Sequence, residues 1–333
     1  MVSDILEGYV ETAPNLWIKR GVLGRFKKID SLVLDIDGVI LNVTRSFRVA
    51  ISKTTQFYFK KILKWPGDAV LITPDETQFF KMAGGFNNDW ELTYAAVIFY
   101  LGKSASLSDR NLNVLRDSGQ SLRDFTNEVK KMGGGLKPAE RVALSTLKDK
   151  ERIKALWDRN LIKQIFQEFY AGVDWCKRLY GFNPVYVNKR GLLNREKVLI
   201  SRKLVKQFYP KVSVITGRTK KEAGIALEKA NLSDIIFPEK VLSDDGGVRK
   251  PDPKLLADLS KKMDTKVGVY IGDTPDDIET VNNYKKLGRN GKFLSCIVLR
   301  ETEKVKRFIE GDVDILAGSG NDVLNEISKL KGD

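Results

Sequence analysis

Four short clusters along the chain place acids, a hydroxyl and a lysine where they could act together. Asp35-Ile36-Asp37-Gly38-Val39 follows the apolar run Ser31–Leu34. Two acids one residue apart end that run, and the glycine lets the chain turn, so both carboxylates can be aimed at one site. Thr216-Gly217-Arg218 follows Val212–Ile215. A hydroxyl and free N–H groups at a strand-to-helix turn suit an anion, although a threonine there is also an ordinary helix cap. Lys250-Pro251-Asp252-Pro253 pins a lysine before a Pro-x-Pro turn, a fixed point charge suited to phosphate. Gly272-Asp273-Thr274-Pro275-Asp276-Asp277 carries three acids in five residues at a helix start. Such a set favours a hard cation with oxygen ligands, and helix capping accounts for only one or two of the three.

What is missing narrows the chemistry as much as what is present. The 333 residues include no histidine and only two cysteines, Cys176 and Cys296. Ser-His-Asp and Cys-His catalysis, histidine-ligated zinc and a disulfide framework are excluded. Acid-base work falls to carboxylates, lysines, tyrosines or a cysteine, and a metal would be held by oxygen, which favours magnesium, calcium or manganese. The scarce cysteine fits a reducing, cytoplasmic setting. No signal peptide and no apolar run of membrane-spanning length is evident.

The elements that must position these groups alternate. Apolar runs at 31–35, 212–216, 266–272 and 294–299, with weaker ones at 235–237 and 314–316, are separated by helical stretches. This predicts an α/β fold: a Rossmann-like three-layer core with a parallel sheet covered on both faces. Residues 45–199 differ, with helical periodicity and almost no strand signal. They are expected to form an all-helical cap domain inserted into a core made of 1–44 and 200–333. Residues 1–30 are expected to be a helical or irregular extension of that core. Thr73-Pro74-Asp75-Glu76 has the pattern of a capped helix start, and Gly133-Gly134-Gly135 reads as a flexible joint.

In this order and at these strand ends, DIDGV, ITGR, RKPDP and GDTPDD resemble the motifs of the haloacid dehalogenase-like superfamily, in its subfamily with a helical cap after the first motif. The resemblance covers residues 31–316 and is greatest to phosphoglycolate-phosphatase-type enzymes. The stretch Ala83–Trp90 resembles a subgroup some of whose members are fused to a histidine-biosynthesis dehydratase. The resemblance implies a Mg²⁺-dependent phosphatase working through an aspartyl-phosphate. Asp35 would be the nucleophile and Asp37 the acid and base. Asp35, Asp273 and the main-chain carbonyl of Asp37 would hold Mg²⁺, with Asp277 positioning from behind. Thr216 and Lys250 would bind the phosphoryl oxygens, with Gly217 and Arg218 on the substrate side. An acid at position 37 argues for phosphoester rather than halide chemistry but does not separate a phosphatase from a phosphomutase.

Specificity is expected from the insert, with Phe86, Asn87, Asn88 and Asp89 as substrate-facing residues; the competing role for Asn88 or Asp89 is helix capping, with Trp90 in the cap core. Of the net charge of +14, a large part lies between Lys177 and Lys221, which holds thirteen Lys or Arg and one acid, Glu196. That stretch would form a positive rim drawing in anions, or a solvated basic face of the kind common in thermophile proteins. The expected partner is a small anionic phosphometabolite, 2-phosphoglycolate-like or histidinol-phosphate-like. No nucleic-acid or membrane partner is expected, and the protein would be a monomer or homodimer.

Overall fold

The computed structural model describes residues 7–86, 88–288, 292–299 and 312–332. Among the described residues the main sheet has eight strands. In chain order the strands of the structure are β1 (Tyr9–Ala13), β2 (Leu16–Lys19), β3 (Ser31–Leu34), β4 (Leu41–Asn42), β5 (Lys197–Val198), β6 (Val212–Ile215), β7 (Val241–Leu242), β8 (Gly268–Gly272), β9 (Phe293–Val298) and β10 (Ile315–Ala317). The sheet runs β1-β2-β10-β9-β8-β3-β6-β7, and β4 pairs with β5 in a separate ribbon. From β10 to β7 every pairing is parallel.

The reason is visible in burial. Every residue of β3, β6, β8 and β9 is buried, as strands covered on both faces must be. On one face Val33, Ile215, Tyr270 and Phe293 pack against Leu255, Leu256 and Leu259 of the helix Lys254–Lys262 and Val281 and Tyr284 of the helix Pro275–Lys286. On the other lies the helix Gly320–Gly332, whose first residue sits 4.0 Å, measured from an added Cβ, from Ile271.

The sheet is wider than the sequence suggests. In their described part residues 1–30 are helical only over Arg20–Phe26; ahead of that, β1 and β2 form a hairpin whose second strand joins β10 antiparallel. Leu16 and Ile18 are fully buried while Trp17 and Lys19 are half-buried, an alternation too short to register as a period. Pro14 followed by Asn15 at φ 62° supplies the turn, with the positive φ at its second position. Conversely, Ile235–Phe237 is not a strand. The amides of Ile235 and Ile236 both bond the Leu232 carbonyl, so they close a turn and leave no ladder to build. The edge strand is β7, a few residues later.

The chain divides into two compact units, 1–42 with 197–333, and 43–196. Among the described residues of the second unit there is no strand of the sheet; helices dominate it, with one isolated bridge between Gly172 and Arg190. Its centre is the helix Asp89–Ser104, buried on nearly every side as an apolar-all-round helix must be. Its own Phe99 and Tyr100 meet Phe125 and Phe59, and Phe125 in turn meets Phe80, edge to face or tilted. Thr73 and Glu76 exchange the two bonds of a capping box, at 2.8 and 3.3 Å, and the helix Thr77–Ala83 follows.

Gly133-Gly134-Gly135 is not a loose joint. It crosses Gly84-Gly85 backbone on backbone, and the Gly135 amide donates to the Gly84 carbonyl at 2.9 Å. A Cβ on Gly134, whose φ is +75°, would lie 2.4 Å from that carbonyl oxygen. Gly134→Ala is therefore expected to cost roughly 2–5 kcal/mol, the sum of left-handed strain and overpacking. Urea unfolding checks this; a change under about 0.5 kcal/mol, the usual limit for an unconstrained surface site, would show that the crossing carries no load. Among the described residues no helix is long and apolar enough to cross a membrane.

Candidate active site

The strands β6, β3 and β8 lie side by side and parallel. Their carboxyl ends therefore open at one edge, where open α/β sheets hold their ligands. Asp35 leaves β3, Thr216 leaves β6 and Asp273 leaves β8. Asp35 is 3% exposed, its amide is tied to the Ile271 carbonyl across to β8, and its Oδ1 accepts from the Ile36 amide at 2.7 Å. The chain then turns through Gly38, at φ +81°. A Cβ there would fall 1.9 Å from Asp273 Oδ2, so glycine is what lets the two loops close on each other.

Lys250 comes in from the third cluster and is itself buried. Its Nζ donates to Asp35 Oδ2 at 2.9 Å and to Asp277 Oδ1 at 2.7 Å. Asp277 is held on both oxygens. Oδ1 also accepts from the Tyr270 hydroxyl at 2.7 Å, and Oδ2 takes the Asp273 and Thr274 amides and the Thr274 hydroxyl. The capping role for Asp277 and its place beside Lys250 are thus both real: one oxygen serves the helix, the other the site.

The electrostatics follow from this packing. Burial pushes the Asp35 carboxyl well above the usual carboxylate range; Lys250 opposes that, and Asp277, Asp37 and Asp273 add to it. Burial alone would pull the Lys250 ammonium down, but Asp277 and Asp35 outweigh it and hold it well above its ordinary value. Burial likewise raises Asp277, and Lys250 with its hydrogen bonds outweighs it and keeps Asp277 ionised. Tyr270, raised by burial and then by Asp277, stays a neutral donor. Oxygens of Asp35, Asp273 and Asp277 come within 4.8 Å of one another. The donors are all hard, and Asp35 resists ionisation without more positive charge nearby. The set fits a divalent cation of the magnesium type.

Thr216 is buried at the end of β6, with Gly217 half-buried beside it. Thr216 does not cap the next helix. Thr219 does, in a capping box with Glu222, which leaves Thr216 at the site. Arg218 is not where a substrate-binding residue would be. It is 1% exposed, and its guanidinium is turned onto Asp37, with Nε and Nη2 at 2.8 and 2.7 Å from Oδ1.

The residues expected to face substrate from the insert are differently occupied. Phe86 is 1% exposed and packs edge to face on Phe80, so it is a core residue. Asn88 caps the helix Asp89–Ser104 through the Trp90 amide, and Asp89 pairs with Lys81 at 2.9 Å. Trp90 is only half-buried, under the Lys163 ammonium at 3.9 Å. Asn87 lies outside the described residues. The basic stretch 177–221 is divided between the two units. Several of its charges are committed: Arg190 to Asp174, Arg202 to Asp234, Lys211 to Asp30 and Arg218 to Asp37.

Tyr270 has no counterpart in the sequence reading. The available signal is a lone tyrosine in an aliphatic, fully buried strand, since a buried hydroxyl needs a partner.

The core is Rossmann-like, a parallel sheet interrupted after its first parallel strand by a helical insertion. No family model matches the chain. Among solved structures it is similar to phosphatase Tt82 from Thermococcus thioreducens, with a TM-score of 0.50 and 23% identity over 83% of this chain and 98% of that one. A haloacid dehalogenase-superfamily hydrolase of subfamily IA from Geobacter sulfurreducens gives a TM-score of 0.37 and 10% identity, covering 84% and 96%. At 23% identity the likeness to the first of these is one of fold. Among curated proteins, an imidazoleglycerol-phosphate dehydratase of Phytophthora nicotianae is 25% identical over 255 residues, 75% of this chain. The chain spans 40% of the length of that relative.

Proposed function

We propose that the protein is a Mg²⁺-dependent phosphatase that hydrolyses a small phosphomonoester through an aspartyl-phosphate on Asp35. The observation that carries the reading is the buried Asp35–Lys250–Asp277 chain, with Asp273 beside its carboxylates and Asp37 close enough to act on Asp35 electrostatically. Asp35 presents a carboxylate oxygen to phosphorus, and splitting one difficult displacement into two is the gain from a covalent intermediate. Asp37 gives a proton to the leaving alkoxide, then takes one from the attacking water; with no histidine in the chain, a carboxylate suits that work. Thr216 and Lys250 hold the phosphoryl oxygens. Asp35, Asp273 and the Asp37 carbonyl would hold the metal, with Asp277 supporting from behind. When bound, the dication supplies the positive charge that clustered carboxylates and a phosphate dianion together require.

The substrate is proposed to be a small anionic metabolite. The resemblance to phosphoglycolate phosphatases and the likeness to a dehydratase named for imidazoleglycerol phosphate put phosphoglycolate and histidinol phosphate first on a test panel. Phosphate release from that panel, extended with sugar phosphates and nucleotides, is expected with Mg²⁺ and is expected to vanish with EDTA. Turnover that EDTA leaves intact would remove the metal from the mechanism. Turnover only with an added sugar bisphosphate would make the protein a phosphomutase.

A further inference from the structure

Arg218 is among the largest fully buried side chains of the structure, yet it lies two residues beyond a site threonine. Both of its main-chain groups are anchored: its amide to the Thr216 hydroxyl at 3.2 Å and its carbonyl to the Asp244 amide at 2.9 Å. Its guanidinium sends Nε and Nη2 to one and the same oxygen, Asp37 Oδ1. The Asp37 side chain is 24% exposed, so it remains open on its other side. With Oδ1 taken up by the guanidinium, Oδ2 is the Asp37 oxygen left to face a reacting group. A planar fork fixed at both ends sets the orientation of a carboxylate in a way that a flexible ammonium does not.

We propose that Arg218 is a positioning residue: it does not bind the phosphoryl group, and it fixes Asp37 so that Oδ2 is the oxygen that delivers the proton. The inference rests on the phosphatase reading, in which Asp37 is the acid. As the bond from phosphorus to the leaving oxygen breaks and the bond from Asp35 to phosphorus forms, the proton on Asp37 Oδ2 passes to the leaving oxygen. In the second half Oδ2 takes a proton from water as its oxygen bonds phosphorus and the Asp35–phosphorus bond breaks.

The test compares an alkyl phosphate from the panel, whose leaving group needs a proton, with p-nitrophenyl phosphate, whose leaving group does not. kcat and KM are measured for wild type, Arg218→Met, Arg218→Lys and Asp37→Asn, with thermal melting of each. Arg218→Met is expected to lose on the order of 10²-fold in kcat on the alkyl phosphate, at least about tenfold less on p-nitrophenyl phosphate, with KM within about twofold. Arg218→Lys is expected to recover about tenfold of the loss by keeping one donor. Equal losses on both substrates would make Arg218 merely structural, and a KM raised about tenfold at unchanged kcat would make it a substrate-binding residue; either overturns the proposal. Should Arg218→Met melt early, the same split is read from Arg218→Lys. The phosphatase reading is judged separately on Asp37→Asn: if that variant loses equally on both substrates, Asp37 is not the acid, and the positioning role falls with it.

Discussion

Asp35→Asn is expected to lower phosphate release by at least about 10⁴-fold, the scale seen when a covalent nucleophile is removed. The substitution is close to isosteric, and an amide oxygen can still accept from the Ile36 amide as Asp35 Oδ1 does. Lys250 keeps its bond to Asp277. The fold should therefore persist, with a melting temperature within a few degrees of wild type, and the loss should lie in kcat on every substrate. This pattern separates Asp35 from Asp37. An acid matters most for poor leaving groups, whereas a nucleophile is needed for all of them. A denatured-protein mass spectrum after rapid mixing adds an independent readout. Wild type should carry a mass increment of one phosphoryl group, and Asp35→Asn should carry none. Activity retained within tenfold of wild type, or a phosphoryl group on the variant, would move the nucleophile elsewhere.

The parts of this arrangement that were legible in the sequence are those fixed by position along a strand. SLVL, VSVI, GVYIG and FLSCIV are apolar at nearly every position, and each proves to be a strand buried on both faces. An acid or hydroxyl that ends such a run must stand at a carboxyl end, so Asp35, Thr216 and Asp273 could be placed on one edge before their distances were known. Direction was not legible. Once the chain leaves the sheet, composition does not say whether a side chain turns outward to a ligand or inward to a partner. Arg218 turns inward to Asp37, and Phe86 turns into the aromatic cluster around Phe80. Length set the other limit. β1, β2 and β7 are at most five residues long and show half-buried alternation or none, so they carry no periodic signal. The run at 235–237 has the apolar composition of a short strand, yet the amides of Ile235 and Ile236 are already taken by a turn. The glycine run at 133–135 misled for a related reason: absence of side chains reads as freedom, and here it permits a close backbone crossing.

Lys250→Met is expected to have the second large effect, and it reaches stability as well as activity. Lys250 is the cation between two buried carboxylates, Asp35 and Asp277. Removing one member of a buried ion pair leaves the other charge desolvated and typically costs about 3–5 kcal/mol. Urea unfolding with chelator present measures it. The pH dependence has a definite sign. Asp277 is held below its unfolded value, so its share of the stabilisation is present above about pH 4 and is lost as pH falls through its folded value. Lys250 is held above its unfolded value, so its share is complete below about pH 10 and is lost as pH rises through its folded value. The gap between wild type and variant should therefore be widest between those limits and narrow on either side. Adding Asp35→Asn to Lys250→Met removes one of the stranded carboxylates. The double variant should recover part of the lost stability while remaining inactive, a non-additivity expected of residues in contact or in one ion-pair network. Strict additivity of the two changes would mean that Lys250 and Asp35 do not interact in the folded protein. Phosphate release by Lys250→Met at a wild-type rate would mean that the lysine belongs to the fold alone.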